Sequence, residues 1–148
     1  MSAEIIINSQ TLLDGFIERV YGLHDALVHE AILMHPGYVD ERGWMYGDAE
    51  LPNARLIIQC QSSDVIGIEL SLFQVSTFNL RYDSEMRLDG EVLKDRIVLY
   101  PHGKSSAAYS LIQAKEIHYR MLGMESRGPQ FRLLGIAREE IMGPVAQS

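Results

Sequence analysis

Apolar residues recur at helical spacing near the start of the chain. Within residues 9–22 they form one face of a helix, and Asp14, Glu18 and Arg19 fall on the other face. The apolar face comprises Leu12, Leu13, Phe16, Ile17, Val20 and Tyr21. Ser9 or Thr11 can serve as the N-cap of this helix, and Gly22 can end its last turn. The pattern therefore predicts an amphipathic helix over residues 9–22.

The hydrophobic period changes to two from Arg55 onward. Apolar and polar residues alternate in segments 54–62, 65–75 and 77–82, so each segment has one face to bury and one to expose. Residues 26–34 are a short apolar run ending before Pro36-Gly37, which we interpret as a strand, with a helical continuation as the alternative. Residues 37–53, which lie between the predicted strands 26–34 and 54–62, are predicted to form a long loop or an irregular hairpin.

Turn signals divide the second half of the chain. Asp89-Gly90 favours a two-residue hairpin turn, which would join strands 85–88 and 91–100. Residues 108–122 fit a strand or a helix, and we favour a strand. Residues 130–137 predict a last strand, 138–142 a short helical turn, and 143–148 a frayed tail. One face of the strand in 108–122 would carry Leu111, Gln113, Lys115, Ile117, Tyr119 and Met121.

These elements predict an α+β fold. Short spacings between the strands and one clear helix indicate a mostly antiparallel sheet, a meander, packed against the N-terminal helix. We see no linker, repeat or low-complexity tract, so residues 1–148 are expected to form a single domain.

Composition narrows the range of partners. The chain has 13 basic and 20 acidic residues, a formal net charge of −7, which disfavours nucleic acid as a partner. No apolar run approaches the length of a membrane span, and the N-terminus lacks the basic region of a signal peptide. Cys60 is the only cysteine, so no disulfide can form within one chain. We expect a cytoplasmic protein that binds neither nucleic acid nor membrane.

Familiar catalytic motifs are missing from the sequence. No Gly-x-Ser-x-Gly elbow is present, and Val98 stands where a P-loop ending at Gly103-Lys104 would need its first glycine. Cys60 alternates with Leu56 and Ile58, a setting typical of a small core residue. We therefore expect no cofactor and no catalytic residues.

Four histidines are candidates for a metal site assembled in the fold: His24, His29, His102 and His118. His24 and His29 are five residues apart, which on a helix leaves their rings about 140° apart and on a strand puts them on opposite faces. Neighbouring histidines therefore cannot share an ion locally, and the expectation is no metal. Histidines brought together from distant segments remain the alternative.

The segment 35–53 is the strongest candidate for a binding surface. It concentrates Tyr38, Trp44, Met45 and Tyr46 among turn formers and acids. Side chains of these types supply large contact areas at protein interfaces. The competing interpretation is that Trp44 plugs one end of the core.

The order of elements resembles that of small bacterial immunity-type proteins encoded beside polymorphic toxins, and of related uncharacterised families. The resemblance rests on a short helix, the turn "LHDALV" and strands of the kind "IGIELSLFQVSTFNL", and it covers about residues 20–120. It implies an α+β protein that binds and blocks a partner without catalysis.

The leading hypothesis is a non-catalytic, protein-binding domain of the immunity type. The alternatives are a small metal-binding protein or enzyme that uses histidines, and a small-molecule binder with a pocket between helix and sheet. Because an antiparallel sheet has edge strands that must be covered or paired, a homodimer is also expected.

Overall fold

A computed structural model describes residues 3–82, 85–133 and 138–142 of the chain. The predicted α+β class, with a mostly antiparallel sheet and an N-terminal helix, is confirmed. The helices are α1 (Gln10–Arg19) and α2 (Arg138–Met142). The strands are β1 (Ile5–Ile7), β2 (Ala26–Met34), β3 (Tyr38–Val39), β4 (Met45–Tyr46), β5 (Asn53–Cys60), β6 (Gly67–Asn79), β7 (Asp89–Val92), β8 (Ile97–Tyr100) and β9 (Leu111–Leu122).

Helix α1 begins at the predicted cap and ends earlier than predicted. The Ser9 hydroxyl accepts a hydrogen bond from the Leu12 amide at 3.1 Å, which satisfies one of the free donors of the first turn. Only a narrow stripe of the helix is fully buried, because α1 lies against the sheet along Leu13, Phe16 and the C-cap Val20. Leu12 and Tyr21, assigned to the apolar face, are instead exposed.

The main sheet has the strand order β2-β5-β6-β9-β8-β7, and β1 pairs with the second half of β9. All these ladders are antiparallel. The strand predicted for residues 26–34 is confirmed as β2, and the strand favoured for residues 108–122 as β9. The hydrophobic core lies between the sheet and α1. In it, the ring centroids of Phe16 and Tyr119 lie 4.4 Å apart.

The two segments 65–75 and 77–82 do not form separate strands. They contribute to the single long strand β6, which contains a bulge between Val75 and Thr77 beside Gln74 in the left-handed conformation (φ 53°). Both strands change the parity of their buried residues near Gln74: buried Leu72 pairs with buried Ile117, whereas buried Val75 pairs with buried Ala114, and Ile112 is buried too. The face assigned to Leu111, Gln113 and Lys115 is therefore wrong.

The hairpin turn predicted at Asp89-Gly90 is also wrong. Both residues lie inside β7, and the β7–β8 connection is the turn from Leu93 to Arg96, closed by a 2.8 Å bond from the Leu93 amide to the Arg96 carbonyl. Gly90 is required for packing and does not supply a positive φ. A Cβ atom there would lie 2.9 Å from the Leu13 side chain of α1 and 3.0 Å from the Val98 carbonyl oxygen.

A C-terminal strap, residues 124–133, packs over the sheet face opposite α1. The Gln59 side chain donates to the carbonyls of Ser126 and Gly128, both at 2.8 Å. Further along, Glu30 accepts hydrogen bonds from the Arg132 guanidinium and the Leu133 amide, both at 2.6 Å. Polar contacts therefore fasten the strap at both ends.

The strap replaces part of the predicted last strand. Residues 130–133 form no strand, and 134–137 lie outside the described residues. The helical turn predicted at 138–142 is confirmed as α2, while the tail 143–148 is likewise outside the described part. Within residues 3–82, 85–133 and 138–142, no helix has the length and apolar character needed to cross a membrane.

Candidate functional site

The four residues singled out for binding lie together on an aromatic hairpin, residues 38–46. Its strands β3 and β4 form a two-stranded sheet of their own, with Tyr38 opposite Tyr46 and Val39 opposite Met45. The rings of Tyr38 and Tyr46 stack with centroids 5.2 Å apart. Such cross-strand aromatic pairs stabilise a short ladder that would otherwise be marginal.

Asp40 organises the tip of the aromatic hairpin. Its carboxylate accepts hydrogen bonds from the backbone amides of Arg42 at 2.9 Å and Trp44 at 3.0 Å. The Asp40 amide donates to the Trp44 carbonyl at 2.9 Å, and Gly43 supplies the left-handed residue of the turn (φ 87°). The amide of Trp44 and the other donors lower the pKa of Asp40, so the carboxylate that holds the tip stays ionised.

Arg42 connects the tip to the aromatic rings. Its guanidinium lies 3.1 Å from the Asp40 carboxylate, 3.2 Å from the Tyr46 hydroxyl, and 5.4 Å from the centroid of the Trp44 ring. This last distance is within the range of a cation–π contact. The four side chains of Asp40, Arg42, Trp44 and Tyr46 therefore form one connected cluster.

The base of the hairpin depends on two glycines. A Cβ atom on Gly37 would lie 2.6 Å from the Tyr46 carbonyl and 2.8 Å from that of Gly47, and Gly47 itself has a φ of 70°. Only glycine allows the two segments to approach this closely.

The large side chains of the hairpin are ordered by one another and remain open to solvent. The exposed fractions are 62% for Tyr38, 64% for Trp44, 64% for Met45 and 40% for Tyr46. Trp44 is not part of the core, contrary to the competing interpretation. Residues 38–50 contain one basic residue, Arg42, and four acidic residues, Asp40, Glu41, Asp48 and Glu50. Their net charge is therefore −3.

The four candidate histidines occupy three different places. His24 and His102 line the same depression, where the His102 ring lies between the carbonyl oxygens of Arg81 at 2.8 Å and Glu85 at 2.9 Å. His29 is the bulged residue of the end strand β2. His118 lies on β9 between the carboxylates of Glu4 and Glu116.

In the described part of the chain, a single group has the geometry to hold a metal ion: His24 with Asp25 and Glu85. The expectation that His24 and His29 do not converge on a common site is consistent with this grouping. Glu85 is distant from both histidines in sequence, so their spacing does not point to it as a ligand.

Cys60 is buried on the core side of β5. Burial raises the pKa of its thiol, which favours the unreactive protonated form. The predicted role of Cys60 as a small core residue fits this environment.

The space between α1 and the sheet, where a ligand pocket was the third alternative, is filled by side chains. Leu13, Phe16 and Ile117 meet there and are almost completely buried. This packing gives the small-molecule alternative no support at that interface.

Sequence reasoning identified the exposed rings but missed the residues that hold them. Asp40 and Arg42 precede Gly43-Trp44, and an Asp before a glycine-containing turn is a recognisable signal for side-chain-to-backbone hydrogen bonds. The contact of Arg42 with Trp44 and Tyr46 depends on the hairpin register, which the sequence does not state.

No family model, curated protein or solved structure matched this chain.

Proposed function

We propose that this protein is a non-catalytic binding domain and that its partner is a protein that contacts the aromatic hairpin. The observation that carries the proposal is the set of four large side chains, Tyr38, Trp44, Met45 and Tyr46, held exposed on a hydrogen-bonded hairpin.

The side chains of the hairpin are partly ordered before a partner binds. Binding requires side chains to lose rotamer freedom, at about 0.5–1.5 kcal/mol for each flexible side chain. The Trp44 ring and the Tyr46 hydroxyl already contact Arg42, so part of this cost is met when the domain folds. Aromatic anchors of this kind contribute most of the affinity at many interfaces.

The charge of the surface defines the class of partner. The hairpin and the four residues after it, 38–50, together have a net charge of −3, so this region would repel an acidic surface. We expect a protein whose contact patch has an apolar centre to receive Trp44 and Met45 and a rim of lysine or arginine. An immunity-type role, blocking a basic toxin, agrees with this chemistry and remains a proposal.

Two further expectations accompany this function. A single cysteine suits a reducing, cytoplasmic setting. A homodimer through β2 also remains a prediction, since β2 ends the sheet and exposes Leu27, Leu33 and Met34.

The test begins with a photo-crosslinking amino acid at position 45 in the living cell, followed by mass spectrometry of the adduct. The identified protein is then purified, and its affinity is measured by calorimetry. Trp44→Ala and Tyr46→Ala should each weaken binding by about 2 kcal/mol, roughly 30-fold. Trp44→Ala should keep the unfolding free energy of the wild type within about 0.5 kcal/mol, as is usual for exposed positions, and Tyr46→Ala should lower it by no more than about 1 kcal/mol, since it removes the stack on Tyr38.

Tyr82→Ala is the matched control, because Tyr82 is an exposed aromatic residue outside the hairpin. It should leave the affinity unchanged. The proposal is overturned if no single protein is crosslinked, if Tyr82→Ala weakens binding as much as Trp44→Ala, or if the hairpin variants unfold.

A further inference from the structure

A second site is built where the turn after α1 meets the segment before β7. His24 and Asp25 come from the turn, and Glu85 comes from the segment. His24 Nδ1 contacts a Glu85 carboxylate oxygen, and His24 Nε2 lies 3.5 Å from Asp25 Oδ2. One ligand atom from each residue lies within 4.8 Å of the other two.

The backbone holds these two segments in place. The Leu88 amide donates to the Gly22 carbonyl at 2.8 Å, and the Arg87 amide donates to the Pro101 carbonyl at 2.8 Å. The His102 ring lies 2.9 Å from the carbonyl oxygen of Glu85 itself. The fold therefore sets the backbone positions of the three residues.

The carboxylates of the cluster form no ion pair with Arg87, which lines the same depression. In the described part of the chain, neither Asp25 nor Glu85 forms an ion pair with a lysine or an arginine, and His24 is their only ionic partner. Metal binding requires an unprotonated imidazole, and with two carboxylates that ligand set has a charge of −2, which a divalent cation would neutralise.

We propose that His24, Asp25 and Glu85 bind a divalent transition-metal ion, with Zn²⁺ or Mn²⁺ as the matching class. Imidazole nitrogen together with carboxylate oxygen suits these ions better than Ca²⁺ or Mg²⁺, which prefer oxygen ligands alone. Ligands about 2.1 Å from a tetrahedral ion lie roughly 3.4 Å from one another. The three exposed side chains reach this spacing by rotation, since none is packed in the core.

The site leaves coordination positions open on one side. The His24 ring and the Glu85 carboxylate line a depression that also contains His102 and Ser106. Water or a small ligand in this depression can complete the coordination of the ion. The ion would link the turn after α1 to the segment leading into β7. The site shares no residue with the aromatic hairpin, so its test is independent of the proposed function.

The test is calorimetric titration of the metal-free full chain with Zn²⁺ alone and, separately, with Mn²⁺. We expect one ion per chain, an affinity at least about tenfold weaker in His24→Ala and Glu85→Gln, and a rise in Tm with Zn²⁺ that Glu85→Gln lacks. Circular dichroism of each variant checks that it is folded.

His118→Ala and His35→Ala are the matched controls. His118 also contacts carboxylates, and His35 is an exposed histidine near the hairpin. Both controls should bind Zn²⁺ as the wild type does. The inference is overturned if neither ion binds, if binding survives in folded His24→Ala and Glu85→Gln, or if either control loses it.

Discussion

The effect of replacing a glycine depends on the atoms around it, as Gly15 and Gly90 show. Gly15 lies in α1, and a Cβ atom there would meet nothing within 4 Å. Gly90 lies in β7, where a Cβ atom would lie 2.9 Å from the Leu13 side chain. The sequence identifies both as glycines in otherwise regular segments and cannot tell them apart, because the difference is the neighbour across the core.

The same substitution should therefore have opposite effects at these two positions. Gly15→Ala should raise the unfolding free energy by about 0.5–1 kcal/mol, because alanine favours the helix and loses less backbone entropy. Gly90→Ala should lower it by about 1–3 kcal/mol, because the added methyl group pushes α1 away from β7. Urea unfolding of both variants measures this, and a neutral Gly90→Ala would contradict the packing role given to Gly90.

At the scale of elements, the strap is fastened by a buried carboxylate. Burial by itself raises the pKa of Glu30, but hydrogen bonds from Arg132 and the Leu133 amide outweigh it and lower the pKa below its ordinary value of 4.5. The folded protein therefore favours the ionised form of Glu30 more strongly than the unfolded chain does. Glu30 contributes stability above pH 4.5, and that contribution is lost as the pH falls through the lower pKa of the folded protein.

Glu30→Gln should remove this contribution. At neutral pH the variant should be less stable by about 1–3 kcal/mol, since Arg132 loses its charged partner, and strap amides should exchange faster with deuterium. Below pH 4.5 the stabilities of the variant and the wild type should converge. Glu41→Gln, at an exposed position in the hairpin, is the control and should show no such convergence. Equal protection of the strap in Glu30→Gln and wild type would contradict the fastening role.

The presence and type of the longer elements could be predicted from the sequence, and the points where a strand breaks its period could not. Helix α1 and strand β5 follow the spacing of their apolar residues, whereas β2 and β9 were predicted as strands without the bulge at His29 and the change of buried parity within β9. The bulge in β6 was missed because Gln74 adopts a left-handed conformation that its residue type does not signal. The strap was missed because Glu30 and Arg132 are far apart in sequence and meet only in the fold.

The same limit applies to the two candidate sites of the whole molecule. The aromatic hairpin is local, so its residues could be selected from one segment of sequence. The cluster of His24, Asp25 and Glu85 joins two distant segments, and the spacing of neighbouring histidines carries no information about it.

The state of assembly is a property of the whole molecule. β2 pairs with β5 on one side and is the last strand on its side of the sheet, with Leu27 exposed. We expect sedimentation velocity to show a dimer at micromolar concentration and a monomer in Leu27→Lys, because lysine on an edge strand opposes strand pairing. Leu93→Lys, at an exposed position in the β7–β8 turn, should remain dimeric. A monomeric wild type would rule out this assembly.

The burial of Cys60 has a practical consequence. Because the only thiol of the native chain is shielded and protonated, maleimide reagents should modify it slowly while the fold is intact. A cysteine introduced at Met45 would then be the preferred point of attachment for a fluorophore. Distance and anisotropy measurements on the hairpin would need no prior removal of the natural thiol.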